Sequence, residues 1–178
     1  VVSEMCIRES PYNTSVNSIV PSLLSGNAVI LKHSSQPTLC AEQLFKASEK
    51  AGLPKNVFQF LHLDHTNTSK IIGDDRIDHV LFTGSVSGGK NVKKAIGERF
   101  IGAGLELGGK DPAYVRNDCN ILHAIENLVD GSYFNSGQSC CGIERIYVDK
   151  KIYSDFVDGF KDLTEKYQLG NPLEASTN

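Results

Sequence analysis

Short apolar runs alternate with longer stretches of helical spacing through the first hundred residues. Ala28-Val29-Ile30-Leu31 follows the Ser25-Gly26-Asn27 turn and predicts a buried strand. From Thr38 to Ala51, the residues Cys40, Leu44, Ala47 and Ala51 recur on one helical face, and Gly52 and Pro54 predict the stop. Val57 to Leu61 predicts the next strand. Ile77 to Thr83 predicts another, ending at Gly84, and a helix should follow through Val92, Ala95 and Ile96. Strand and helix patterns in this order predict an α/β fold, a mostly parallel sheet with helices on its faces.

Beyond Ile101 the texture changes. Gly102, Gly104, Gly108 and Gly109 crowd into a few residues, and a domain junction is expected there, dividing the chain into 1–105 and 106–178. Ala113 to Val115 predicts a short strand, and Ile121, Ile125 and Leu128 mark a helix running toward Phe134. Ile143 to Val148 alternates as a strand. Tyr153, Phe156, Phe160, Leu163 and Tyr167 predict a final amphipathic helix. There is no internal repeat and no low-complexity linker.

Composition narrows the class. The 178 residues are 40% hydrophobic with a formal net charge of −3, which fits a globular core and gives no electrostatic reason to expect nucleic acid or an anionic membrane as partner. No apolar run approaches the ~20 residues that span a bilayer. The N-terminus lacks the charged and apolar regions of a secretion signal. It also lacks an initiating methionine, so an upstream piece is expected. The five cysteines, at 6, 40, 119, 140 and 141, are an odd set without metal-ligand spacing, and adjacent Cys140 and Cys141 are badly placed for a mutual disulfide. The expectation is a reducing, intracellular and cytoplasmic setting with one reactive thiol.

Two segments carry the chemistry. Phe134-Asn135-Ser136-Gly137-Gln138-Ser139-Cys140-Cys141 puts a thiol on a run of small and polar residues, whose backbone N–H groups could face a developing oxyanion. Leu105-Glu106-Leu107-Gly108-Gly109-Lys110 offers a lone carboxylate beside glycines, its two leucines sharing one strand face. A thiol and a carboxylate are the nucleophile and base of acyl chemistry. Their separation, 140 − 106 = 34 residues, suits a strand, a helix and a return of the chain. Taken singly, a cysteine is more often a packing thiol, and a glutamate here would be a surface residue paired with Lys110. Together, in wording and separation, both segments resemble the signature segments of the aldehyde dehydrogenase superfamily, and the resemblance runs from about Pro11 to Asn178.

That resemblance implies a Rossmann-like cofactor-binding part followed by the opening α/β segment of a catalytic domain. It implies Cys140 as nucleophile, with Cys141 packing away from the site. It implies Glu106, raised in basicity by an apolar neighbourhood, as the base that activates water. The activity implied is NAD- or NADP-dependent oxidation of a small-molecule aldehyde to a carboxylic acid, with a homo-oligomer for a full-length member. The ordinary Gly-x-Gly-x-x-Gly fingerprint is absent. In its place, Phe82-Thr83-Gly84-Ser85 ends a strand and opens a helix, where Gly84 and Ser85 would line the pyrophosphate. Lys32 matches the lysine that bonds the adenosine ribose, and Leu107 falls among the cofactor contacts. Ser35 stands where strict NAD users carry glutamate, which leaves NADP open. No metal is expected: His62, Asp64 and His65 read as a polar loop, and His33, His79 and His123 receive no role.

The chain also departs from the family pattern. Pro11-Tyr12-Asn13 looks like its Pro-Trp-Asn segment, but Asn13 lies 32 − 13 = 19 residues before Lys32, short of the family interval, which reaches back to Glu9. The later Glu-x-Phe-Gly-Pro segment is not within the chain, and unpaired strand edges are expected. The competing expectation is a truncated, catalytically impaired fragment acting as a binding or assembly module.

Overall fold

The computed structural model of the chain describes residues 2–5 and 10–177. It divides into two compact units, Val1–Gly108 and Gly109–Asn178. The first holds a five-stranded sheet built from β1 (Val2–Met5), β2 (Val29–His33), β3 (Phe58–Phe60), β4 (His79–Thr83) and β5 (Gly102–Glu106). All pairings are parallel and the spatial order is β3-β2-β1-β4-β5. This is the order of the first five strands of a Rossmann-type sheet, in which ligands bind outside the carboxyl ends of the strands where the order reverses.

The connections are α1 (Pro11–Leu24), α2 (Thr38–Lys50), α3 (His65–Ile72) and α4 (Val86–Ile96). Strand alternation sends Val29 and Leu31 into one cluster with Ile19, Ala41 and Phe58, and Ile30 toward the other, where Ile72, Val80, Phe82, Val92 and Ile96 are buried. So α1 and α2 cover one face, and α3 and α4 the opposite one. Burying a side chain such as Leu31 contributes about 1.5–3 kcal/mol. Parallel strands covered on both faces read as unbroken apolar runs, which is why β2 and β4 were legible.

Two helices differ from the sequence reading. α1 begins with Pro11 at its first position, where the missing N–H costs nothing, yet its serines, asparagines and internal Pro21 conceal the period. The polar loop expected around His62–His65 becomes the start of α3: the Asp64 carboxylate accepts from the Asn67 N–H at 2.7 Å and caps it.

The second unit pairs β6 (Asp111–Val115) with β7 (Ile143–Val148) in parallel through α5 (Ile121–Tyr133). A register shift sits between Asp111 and Pro112, as a residue without an N–H requires in a ladder. α6 (Tyr153–Thr164) closes the core, in which Val115, Ile125, Val129 and Phe156 are buried. The predicted last helix is shorter than expected, because the chain turns after Thr164. Tyr167, beyond the helix end and exposed, packs edge-on against Tyr133 at 6.1 Å between ring centres.

Candidate active site

The carboxyl edge of the first sheet gathers most of the residues singled out from the sequence. Lys32, near the end of β2, is only 4% exposed, so it is not a solvated strand-end lysine. Ser35 follows on an exposed bend. Thr83 ends β4, and the Gly84 N–H donates to the Glu106 carbonyl at 2.9 Å, locking the ends of β4 and β5 together. Ser85 is the N-cap of α4, its Oγ accepting from the Gly88 N–H at 3.0 Å. The amides of Val86 and Ser87, at the first two positions of α4, have no intrahelical acceptor, so this end of the helix suits a diphosphate.

Leu107 holds that helix end in place. A side chain at Gly89 would come within 2.8 Å of Leu107 Cδ2 and push that side chain aside, so glycine lets the first turn of α4 lie directly against it. Leu105 and Leu107 both pack against the α3–α4 core, while Glu106 is exposed. The Glu106 carboxylate stands at the carboxyl end of β5. Within the second unit, Lys110 makes an ion pair with Glu144.

In the second unit, Cys140 lies on the loop between α5 and β7. It is exposed and its thiol is free. The loop opens with three consecutive left-handed residues: Asn135 at φ 53°, Ser136 at φ 58° and Gly137 at φ 71°. Each non-glycine residue held there costs roughly 1–2 kcal/mol. The Gln138 N–H donates to the Asn135 carbonyl at 3.1 Å, and the Asn135 amide donates to the Gln138 carbonyl at 3.1 Å, which closes the turn. Backbone strain of this kind, when observed, is a feature of functional loops. Cys141 was expected to pack; it is exposed, with its Sγ 3.2 Å from the Ser139 hydroxyl.

Two further features were beyond sequence reasoning. His33, given no role, is 2% exposed beneath α1. Its Nδ1 accepts from the Ser34 N–H at 3.1 Å, which leaves Nε2–H to donate to the Pro11 carbonyl at 3.0 Å, with the Ser15 hydroxyl 3.4 Å away. The imidazole is therefore neutral, and burial pushes its pKa below the ordinary value, partly offset by the bond to Pro11. His62 pairs with Glu42 at 3.1 Å rather than with His65. The described residues contain no group of three or more metal-ligating side chains. Asn13 is an exposed residue in the first turn of α1, and Glu9 lies outside the described residues.

Beside the α4 end lies a cavity of about 610 Å³ between α3 and α4, with Ile72, Phe82, Val92 and Ala95 among its walls and Ser85 and Gly88 at its margin. Its size falls within the range of small-molecule sites.

A dinucleotide-type α/β unit followed by a thiol on a strained, glycine-framed loop defines the class of protein. The family model "Aldehyde dehydrogenase family" matches residues 9–178, and the chain belongs to that family. Among curated relatives, a D-glyceraldehyde dehydrogenase (NADP(+)) of Picrophilus torridus is 38% identical over 162 residues, 88% of this chain and 32% of the relative. Lactaldehyde dehydrogenase of Escherichia coli (strain K12) is 34% identical over 167 residues, 93% of this chain and 35% of the relative. The crystal structure of lactaldehyde dehydrogenase from Escherichia coli superposes with a TM-score of 0.90 at 31% identity, covering 98% of this chain and 37% of that one. Succinic semialdehyde dehydrogenase from Streptococcus pyogenes, solved in complex with NADP+, gives a TM-score of 0.91 at 25% identity over 99% of this chain and 38% of that one. The chain spans about a third of the length of the curated relatives it matches. No helix among the described residues is long and apolar enough to cross a membrane.

Proposed function

We propose that this chain supplies the cofactor cleft, the nucleophile and the base of an enzyme that oxidises a small-molecule aldehyde to a carboxylic acid with NAD or NADP. The observation that carries this reading is the convergence of Lys32, Gly84, Ser85, Glu106 and Leu107 on the carboxyl edge of one parallel sheet. Those residues fit a dinucleotide: free amides and the positive end of α4 for the diphosphate, the Lys32 ammonium for ribose hydroxyls, and a cavity beyond Ser85 for the adenosine end. A nicotinamide bound there would supply the hydride acceptor.

The Cys140 thiolate adds to the aldehyde carbonyl carbon and forms a thiohemiacetal. Loss of hydride from that carbon leaves a thioester on Cys140. Glu106 takes a proton from water, the resulting hydroxide attacks the thioester, and the acid departs as the thiolate is restored. The left-handed turn at Asn135–Gly137 fixes the path of the backbone leading to Cys140, which supports a positioned nucleophile.

The test is formation of NAD(P)H with a panel of aldehydes, followed by absorbance. Turnover should vanish in Cys140→Ala and lose its hydrolytic step in Glu106→Gln. Turnover that survives Cys140→Ala overturns the proposal. A second reading, a binding module without turnover, is favoured by Asn13, which sits exposed on α1 and out of step with the oxyanion asparagine of the family. Cofactor binding with no reduction of NAD(P) by any aldehyde would establish that reading instead.

A further inference from the structure

We propose that Cys119, His123 and Asn127 form a second thiol site, which exchanges with low-molecular-weight disulfides. The three residues line one cavity of about 370 Å³ at the head of α5, with Ala124 and Leu128 among its apolar walls. That volume lies within the range of small-molecule sites. Cys119 stands just before Asn120, the N-cap of α5, and its thiol is free and exposed. A spacing of four residues puts His123 and Asn127 on one face of the helix. The Asn127 side-chain N–H donates to the His123 carbonyl at 2.8 Å, and its nitrogen lies 3.2 Å from Nδ1 and 3.4 Å from Nε2 of the imidazole, which holds the ring in place. Arg116 and Asp118, the oppositely charged groups of the same cavity, pair with each other at 2.8 Å. The imidazole is then the group there to take a proton.

A thiol beside a base that a third group orients is the arrangement that makes a nucleophile of it. The other described thiols differ: Cys40 is half-buried, and Cys140 and Cys141 share a loop without histidine. The step is a thiol–disulfide exchange. His123 takes the proton of Cys119, and the thiolate attacks one sulfur of the disulfide. The S–S bond breaks, its electron pair leaving with the other sulfur, and Cys119 is left in a mixed disulfide. The departing thiolate recovers the proton from the imidazolium. The incoming disulfide is the oxidant, and one of its halves is released as a thiol. None of the three residues takes part in the aldehyde reaction proposed above, so this site stands or falls without it.

Glutathione disulfide serves as the probe on the full chain. Digestion after glutamate cuts at Glu126 and separates Cys119 from Cys140 and Cys141, so mass spectrometry follows each adduct on its own peptide. At about pH 7, Cys119 should gain the adduct at least about tenfold faster in the folded chain than in the urea-unfolded one, below the full effect of a positioned base because the site is open. His123→Gln, at an exposed helical position that tolerates glutamine, should remove that advantage. At about pH 10 thiols ionise without a base, so wild type and His123→Gln should then react within about twofold of each other. Reaction of Cys119 no faster in the folded chain than in the unfolded one overturns the proposal. Equal rates in wild type and His123→Gln at neutral pH also overturn it. So does a deficit in His123→Gln that persists undiminished in alkali, which would make the histidine a packing residue.

Discussion

The backbone carbonyl of Cys140 fills the space that a side chain on Gly109 would need. Even a methyl group there must displace the loop that carries the thiol. Gly109→Ala should therefore shift Cys140 without touching it, and a displacement of about 1 Å at a reacting group can cost about 100-fold in rate. The expected result is a turnover loss of that order in a chain that still unfolds cooperatively. Wild-type rates in Gly109→Ala, measured beside circular dichroism melting, would show that the approach has no bearing on the nucleophile.

Ser136 is a β-carbon residue in the left-handed region, flanked by Asn135 and Gly137 in the same region. Glycine adopts that conformation without the steric penalty. Ser136→Gly should stabilise the folded chain by about 1 kcal/mol, reduced by the added freedom of the unfolded state. Urea denaturation reads this as a higher midpoint at unchanged slope. A lower midpoint would mean the serine contributes something the backbone geometry does not reveal.

Stability should fall as the solution is made mildly acidic, through His33. Burial lowers its pKa in the folded chain, and the Lys32 and His62 charges act in the same direction, while the Pro11 carbonyl opposes them. Below the ordinary histidine pKa of about 6.5 the unfolded chain takes up a proton that the folded chain refuses, so stability is present above that pH and declines as pH falls toward the lowered value. His33→Gln keeps a donor for Pro11 and does not titrate. It should flatten the dependence of stability on pH across that interval. An undiminished slope in His33→Gln would assign the acid sensitivity elsewhere.

These cases show which features the sequence could declare. Val29 to Leu31 and the run ending at Thr83 are apolar on both sides because helices cover both faces of the sheet, so they stood out as strands. Cys140, Glu106 and Ser85 stood out because each sits in a distinctive local wording. α1 was not legible: Ile19 is buried, but Val16, Val20 and Leu24 are exposed and Pro21 interrupts the pattern. α3 hid behind Thr66-Asn67-Thr68-Ser69, whose polarity masks a helix whose apolar anchors, Ile71 and Ile72, come only at its end. The His33 network and the Gly109–Cys140 approach are tertiary, and spacing along a chain carries no record of them.

Ser35 offers a test of cofactor choice at one position. It is exposed on the bend just past β2, two residues beyond the strand that ends at His33 and close in sequence to buried Lys32. A serine there neither grips a ribose 2′-hydroxyl strongly nor repels a 2′-phosphate. A carboxylate does both, accepting from the hydroxyl of NAD and opposing the charge of NADP. Ser35→Glu should therefore lower NADP affinity by at least about tenfold, a modest 1.4 kcal/mol of repulsion at a solvent-facing site, while NAD affinity holds or rises. Parallel titrations of the two cofactors against wild type and variant measure the change directly. Equal weakening of NAD and NADP would mean that the bend at Ser35 shapes the cleft rather than facing the 2′ position, and would move the origin of cofactor preference to Lys32 and its surroundings.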